Sequence, residues 1–153
     1  MGQIDAKLRE LDIVIPEVAI PVASYVPARV TGNTLYTAGQ LPFVDGALVA
    51  TGKVGAEVSV SEAVELARIC TLNALAAAQS VLGSLDRITQ IVKVNGFVAS
   101  SPDFIQQPTV LNGASELLGE IFGDVGKHAR STIGVAVLPL DAPVELELIV
   151  EFA

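Results

Sequence analysis

His128-Ala-Arg-Ser-Thr-Ile-Gly-Val-Ala-Val-Leu-Pro139, followed shortly by Val144-Glu-Leu-Glu-Leu-Ile-Val-Glu-Phe152, closes the chain. Both stretches are rich in β-branched residues and bounded by proline, so they read as two strands joined by a short turn over Pro139–Pro143. In the second strand Val144, Leu146, Leu148, Val150 and Phe152 alternate with Glu145, Glu147, Ile149 and Glu151. Side chains alternate across a strand, so the apolar set packs a core and the glutamates face outward. The first strand alternates too, with Ser131, Ile133, Val135 and Val137 as its apolar set. That reading turns Arg130 and Thr132 outward with the glutamates. Paired as a tight hairpin, the strands bring Arg130 and Thr132 opposite residues near Glu147 and Glu145. A guanidinium so placed either makes a cross-strand ion pair or grips a small carboxylate through paired charge-assisted hydrogen bonds.

Upstream, the pattern alternates between strands and helices. A short helix is predicted from about Gln3 to Leu11, with Ile4, Leu8 and Leu11 on one face, and Pro16 and Pro21 hold the next stretch extended. A strand from about Ser24 to Val30 turns at Gly32-Asn33 into Leu35–Ala38, a hairpin signal. Val44 to Lys53 adds a small edge hairpin. Ser59 followed by Glu62 fits a capping box that opens a helix running to Leu82 and stopping at Gly83. Leu66, Ile69, Leu72, Ala76 and Val81 supply its apolar face. Ile88 to Val98 is a β-branched strand, Ser101-Pro102-Asp103 a turn and helix start, and Pro108 the first turn of a second long helix ending at Gly123. The order ββ(β)αβαββ implies an α+β fold, a mixed sheet with both long helices on one face. Residues 1–153 read as one domain with no internal linker, residues 1–21 forming a helical and extended N-terminal extension.

Composition narrows the function. The 153 residues are 51% apolar and 17% charged, against about a quarter charged in an ordinary domain. A surface so short of charge is expected to be covered by further copies of the chain. Net charge is −8, and the nine Lys and Arg are scattered. Nucleic-acid binders carry a basic stripe, so no nucleic-acid partner is expected. One cysteine, Cys70, and one histidine, His128, leave no disulfide framework and no transition-metal site within a chain. No apolar run reads as a membrane span and no signal peptide is recognisable, so the cytoplasm is the expected location.

Four further residues can carry chemistry. Glu145 either positions a water and exchanges its proton or sits on a solvated strand face. Tyr25, in the first strand, either covers a small ligand or belongs to an interface or edge. Asn112 stands on a helix surface. His128 is an acid–base group or, beside Lys127 at a strand start, a surface residue; the position favours the surface. There is no GxxxxGK[ST], no GxGxxG between strand and helix, and no GxSxG. Nucleotide, hydride and serine-hydrolase chemistry therefore lose support.

Ala129-Arg130-Ser131 with its apolar strand to Leu138-Pro139, then Val144-Glu145-Leu146-Glu147, resembles the closing signature of the RidA/YjgF/UK114 family. Tyr25, Gly32-Asn33 and Tyr36-Thr37-Ala38-Gly39-Gln40-Leu41-Pro42 are similar to its opening hairpin, and Asn73 with Ile91-Val92-Lys93-Val94 to its middle. The resemblance covers roughly Val22 to the C-terminus. It implies a chorismate-mutase-like fold, a homotrimer around a central β-barrel, and clefts between subunits. It also implies cofactor-free hydrolysis of enamines and imines, such as 2-aminoacrylate and 2-iminopropanoate, to 2-oxo acids and ammonia. Some relatives carry an endoribonuclease activity. By this resemblance Arg130 clamps the substrate carboxylate, and Glu145 with the backbone carbonyl of Thr132 holds the attacking water. Tyr25 closes the pocket from a neighbouring subunit, and Asn112 matches a pocket asparagine. Ala38 stands where a hydroxyl residue is frequent, Thr132 where cysteine is, and His128 where proline is. These departures leave the identity of the substrate open.

Overall fold

Val144, Leu146, Leu148 and Val150 are fully buried, and the strand that carries them is paired on both sides. Burying each such side chain contributes about 1.5–3 kcal/mol. The computed structural model describes residues 2–21 and 23–153. Its elements are α1 (Gln3–Glu10), β1 (Ala28–Thr31), β2 (Thr34–Thr37), β3 (Phe43–Val44), β4 (Ala47–Leu48), α2 (Val60–Leu82), β5 (Ile88–Ala99), α3 (Gln107–Phe122), β6 (Ala129–Val135) and β7 (Val144–Phe152). Five strands form one mixed sheet in the order β1-β2-β7-β5-β6, with β5 and β6 parallel and the other pairs antiparallel. Residues of α2, α3, β2, β5 and β7 share one core. No helix among the described residues is long and apolar enough to cross a membrane.

The local signals explain both long helices. Ser59 Oγ accepts from Glu62 N–H, and the Glu62 carboxylate accepts from Ser59 N–H at 2.8 Å. Gly83 then ends α2 at φ +80°, a left-handed backbone that costs glycine little. The buried side of α2 is Ala63, Leu66, Ala67, Cys70, Ala74, Leu75, Ala78 and Leu82, whereas Val81 is exposed. The small-residue row, rather than the bulkiest stripe, lies against the sheet and lets the helix sit close. Gly113 of α3 meets the backbone carbonyl of Val64 on α2, so the two helices cross where a side chain has no room. Leu111 of α3 covers Gly96 of β5.

Several expectations are corrected. The closing strands are not a hairpin: β6 pairs with β5, which separates it from β7. The reason is the helix before it. β5, α3 and β6 form a strand–helix–strand crossover, which delivers a parallel neighbour. The β6–β7 connection passes the end of β5, where Ala99 N–H donates to Pro143 and Ser100 N–H to Val135. The face assignment of β6 is also reversed. Val94 and Gly96 face the helices, and their register partners Arg130 and Thr132 share that side. Ile133 faces away and is 51% exposed. Alternation names two faces but not which is inner, and on this edge strand the inner face meets the polar flank of α3.

Three smaller corrections follow. The first strand begins at Ala28, so Tyr25 lies in the preceding bend rather than in a strand. The Val44–Lys53 hairpin is a separate pair of two-residue strands, β3 and β4. Ser101–Asp103 is a turn, but the helix starts only at Gln107, with Pro108 in its first turn.

Candidate active site

Arg130 reaches from β6 to the surface of α3. Its Nη1 donates to Asn112 Oδ1 at 3.0 Å and to Ser115 Oγ at 3.1 Å, and Nη2 donates to the Pro108 carbonyl at 3.3 Å. Asn112 and Ser115 are three residues apart and so share a helix face. All three acceptors are neutral. The ion pairs among the described residues are Lys7–Glu10, Arg68–Glu120 and Lys127–Asp124, and none involves Arg130. The cross-strand Arg–Glu pair is therefore overturned: Glu145 and Glu147 project from the other face of the sheet, two strands away. A guanidinium has five N–H donors. These three contacts leave it oriented, charged and able to donate further.

The cleft around Arg130 is lined by Asn112, Ser115, Gly119, Gly126, Lys127 and His128, with a volume of about 380 Å³. His128 is half-buried in the wall of this cleft and held by two hydrogen bonds. Its Nδ1 lies 2.6 Å from the Gly126 carbonyl and its Nε2 lies 2.9 Å from Ser115 Oγ. Sequence reasoning missed Ser115 altogether. The available signal was its helical spacing from Asn112. Thr132 sits on the same face of β6, two residues beyond Arg130, and its hydroxyl oxygen is buried without a partner among the described residues.

Glu145 lies in a second cleft, with Tyr25, Val26, Ala38, Gly39 and Pro139, of about 620 Å³. The chain leaves the β2–β7 ladder here. Thr37 Oγ1 accepts from Leu148 N–H at 2.9 Å, and pairing resumes where Gln40 N–H donates to Leu146. Ala38 and Gly39 bulge out between these contacts, and such a bulge re-aims the backbone. The Glu145 carboxylate rests against the Cα of Gly39, where a side chain would collide with it. Asn73 secures the following loop, donating to the carbonyls of Leu41 at 2.9 Å and Phe43 at 3.0 Å. Burial raises the Glu145 pKa above its ordinary value, and the negative charge of Glu147 raises it further. A carboxylate so placed is suited to take a proton from water.

The predicted residues thus fall into two groups. Arg130, Thr132 and Asn112 lie on the helix side of β6, and Tyr25, Ala38 and Glu145 line the cleft at the β2–β7 bulge. Within one chain Tyr25 accompanies Glu145 and is apart from the Arg130 cleft.

Residues 5–152 match the family described as "YjgF/chorismate_mutase-like, putative endoribonuclease". Protein TCP17 of Trypanosoma cruzi is 44% identical over 151 residues, covering 98% of this chain and 94% of the relative. The 2-iminobutanoate/2-iminopropanoate deaminase of Dermatophagoides farinae is 32% identical over 130 residues, covering 85% of this chain and 87% of the relative. The crystal structure of Atu1372, a protein of unknown function from Agrobacterium tumefaciens, superposes with a TM-score of 0.91 at 43% identity. It covers 99% of this chain and 93% of that one.

Proposed function

The chain belongs to the YjgF/chorismate-mutase-like family, and from that premise we propose that it hydrolyses enamines and imines of small carboxylic acids. The 2-aminoacrylate and 2-iminopropanoate type is the substrate class. Water adds to the C=N carbon of the imine, nitrogen leaves as ammonia, and a 2-oxo acid remains. The observation that carries the reading is Arg130, a guanidinium held by three neutral acceptors with no carboxylate partner among the described residues. An anion that supplies the missing charge completes its hydrogen bonding, and a substrate carboxylate does so through two donors at once. Glu145 holds the attacking water. An imine carbon is already electrophilic, so fixing it beside one oriented water supplies much of the catalysis. No cofactor enters the proposed reaction, and the cytoplasm is its proposed location.

The Arg130 and Glu145 groups lie in separate clefts of one chain. The proposed site forms between copies in a homotrimer, with Arg130, Thr132 and Asn112 from one and Tyr25, Ala38 and Glu145 from the next. This regroups the expected partners, because Tyr25 comes with Glu145. The same separation favours a second reading, a binder of small carboxylates in which Arg130 acts without Glu145. Endoribonuclease action fits poorly with a net charge of −8.

Release of 2-oxo acid from enzymatically generated 2-aminoacrylate tests the proposal. Wild type is expected to accelerate it, and Arg130→Ala to lower kcat/KM by at least about a hundredfold, the scale of a lost charged contact. No acceleration by wild type, with a keto acid still bound, favours the binder. Full activity in Arg130→Ala contradicts both readings.

A further inference from the structure

His128 and Ser115 form a chain of hydrogen bonds that ends on Arg130, and for a neutral imidazole the direction of the chain is fixed by its acceptors. The Gly126 carbonyl can only accept, so at 2.6 Å the His128 Nδ1 carries the proton. A neutral imidazole then has a bare Nε2, which accepts from the Ser115 hydroxyl at 2.9 Å. With its proton committed there, Ser115 Oγ turns a lone pair to Arg130 Nη1 at 3.1 Å. Every donor in the series meets an acceptor.

We infer that His128 is a positioning residue for Arg130, acting through Ser115. As the Nδ1–H tautomer it fixes the serine hydroxyl so that the serine oxygen, with Asn112 Oδ1, holds the guanidinium in one orientation. The inference rests on Arg130 being the carboxylate anchor proposed above. Without the imidazole, the serine hydroxyl can rotate and point its proton at the guanidinium, and Arg130 loses one of the contacts that orient it. The site then pays ordering entropy when it binds an anion, which weakens binding more than turnover.

The experiment has two arms on the full-length protein. Long-range nitrogen–proton NMR of the His128 ring, with the Arg130 guanidinium signals, needs no substrate. The expected result is a protonated Nδ1, a bare Nε2, and a guanidinium resonance that broadens in both Ser115→Ala and His128→Phe. A protonated Nε2, or an unchanged Arg130 signal, overturns the inference. The second arm measures kinetics with enzymatically generated 2-iminopropanoate. Each single variant is expected to raise KM about tenfold with kcat nearly unchanged, and the double variant to match the worse single one, since both break the same chain. Multiplying effects in the double variant overturn the chain. An inactive wild type instead overturns the deaminase reading, and the NMR arm then decides the role of His128 alone.

Discussion

Glu145 shows how a single carboxylate is tuned by its surroundings. Burial comes first and the Glu147 charge second, and both raise its pKa from the ordinary 4.5. As the proposed base it must be ionised, so kcat/KM should fall on the acid side as Glu145 gains a proton. Replacing Glu147 with Gln removes a like charge, and the acid limb is then expected to move to lower pH. A limb that stays in place, or moves up, would separate Glu147 from the titration. Stability depends on pH in the opposite sense. A raised folded value means stability present below the unfolded carboxylate value and lost as pH rises through the folded one. Glu145→Gln should therefore raise Tm at neutral pH and make little difference well below the carboxylate range. Calorimetry at the two pH values checks this. Gly39 belongs to the same account, since a methyl group there would displace the Glu145 carboxylate.

At the scale of elements, close backbone approaches decide the packing. Alanine normally improves a helix interior over glycine by about 1 kcal/mol. At Gly113 the opposite is expected, because its methyl would meet the Val64 carbonyl of α2. Gly113→Ala should cost roughly 1–3 kcal/mol by overpacking, measured by urea unfolding; a gain in stability would show that α2 and α3 can separate. The two long helices, the β5 strand and the alternation of β7 were legible in the sequence because each rests on a local signal. Ser59 with Glu62, Gly83, Pro108 and Gly123 mark ends that the structure places within a residue or so. The pairing of β6 was harder to read. Hairpin proximity suggested β7, whereas the β5–α3–β6 crossover selected β5. The face of β6 followed from that error. Ile133 resembles a core residue, yet only a known neighbour tells inner from outer on an edge strand.

For the whole molecule, the proposed trimer accounts for both the low charge and the two separate clefts. Ile133, Val137, Val92 and Tyr36 are exposed on or beside the open sheet and its edge, and the proposed trimer covers apolar surface of this kind. Arg130, Asn112, Glu145, Tyr25, Ala38 and Thr132 were all nameable from the sequence, through residue type and family resemblance. Their division into two clefts was not, because it depends on which side of which strand each occupies. Ser115 was missed because a helical serine has no distinctive signature until its partners are known. The proposed site is built from the Arg130 half of one copy and the Glu145 half of the next. Mixing inactive Arg130→Ala with inactive Glu145→Gln, by joint refolding, tests it most directly through 2-oxo acid release from 2-iminopropanoate. Random closed rings of three should recover about a quarter of wild-type activity. Mixed rings that stay inactive, although each variant alone assembles as wild type does, would contradict a site shared between copies.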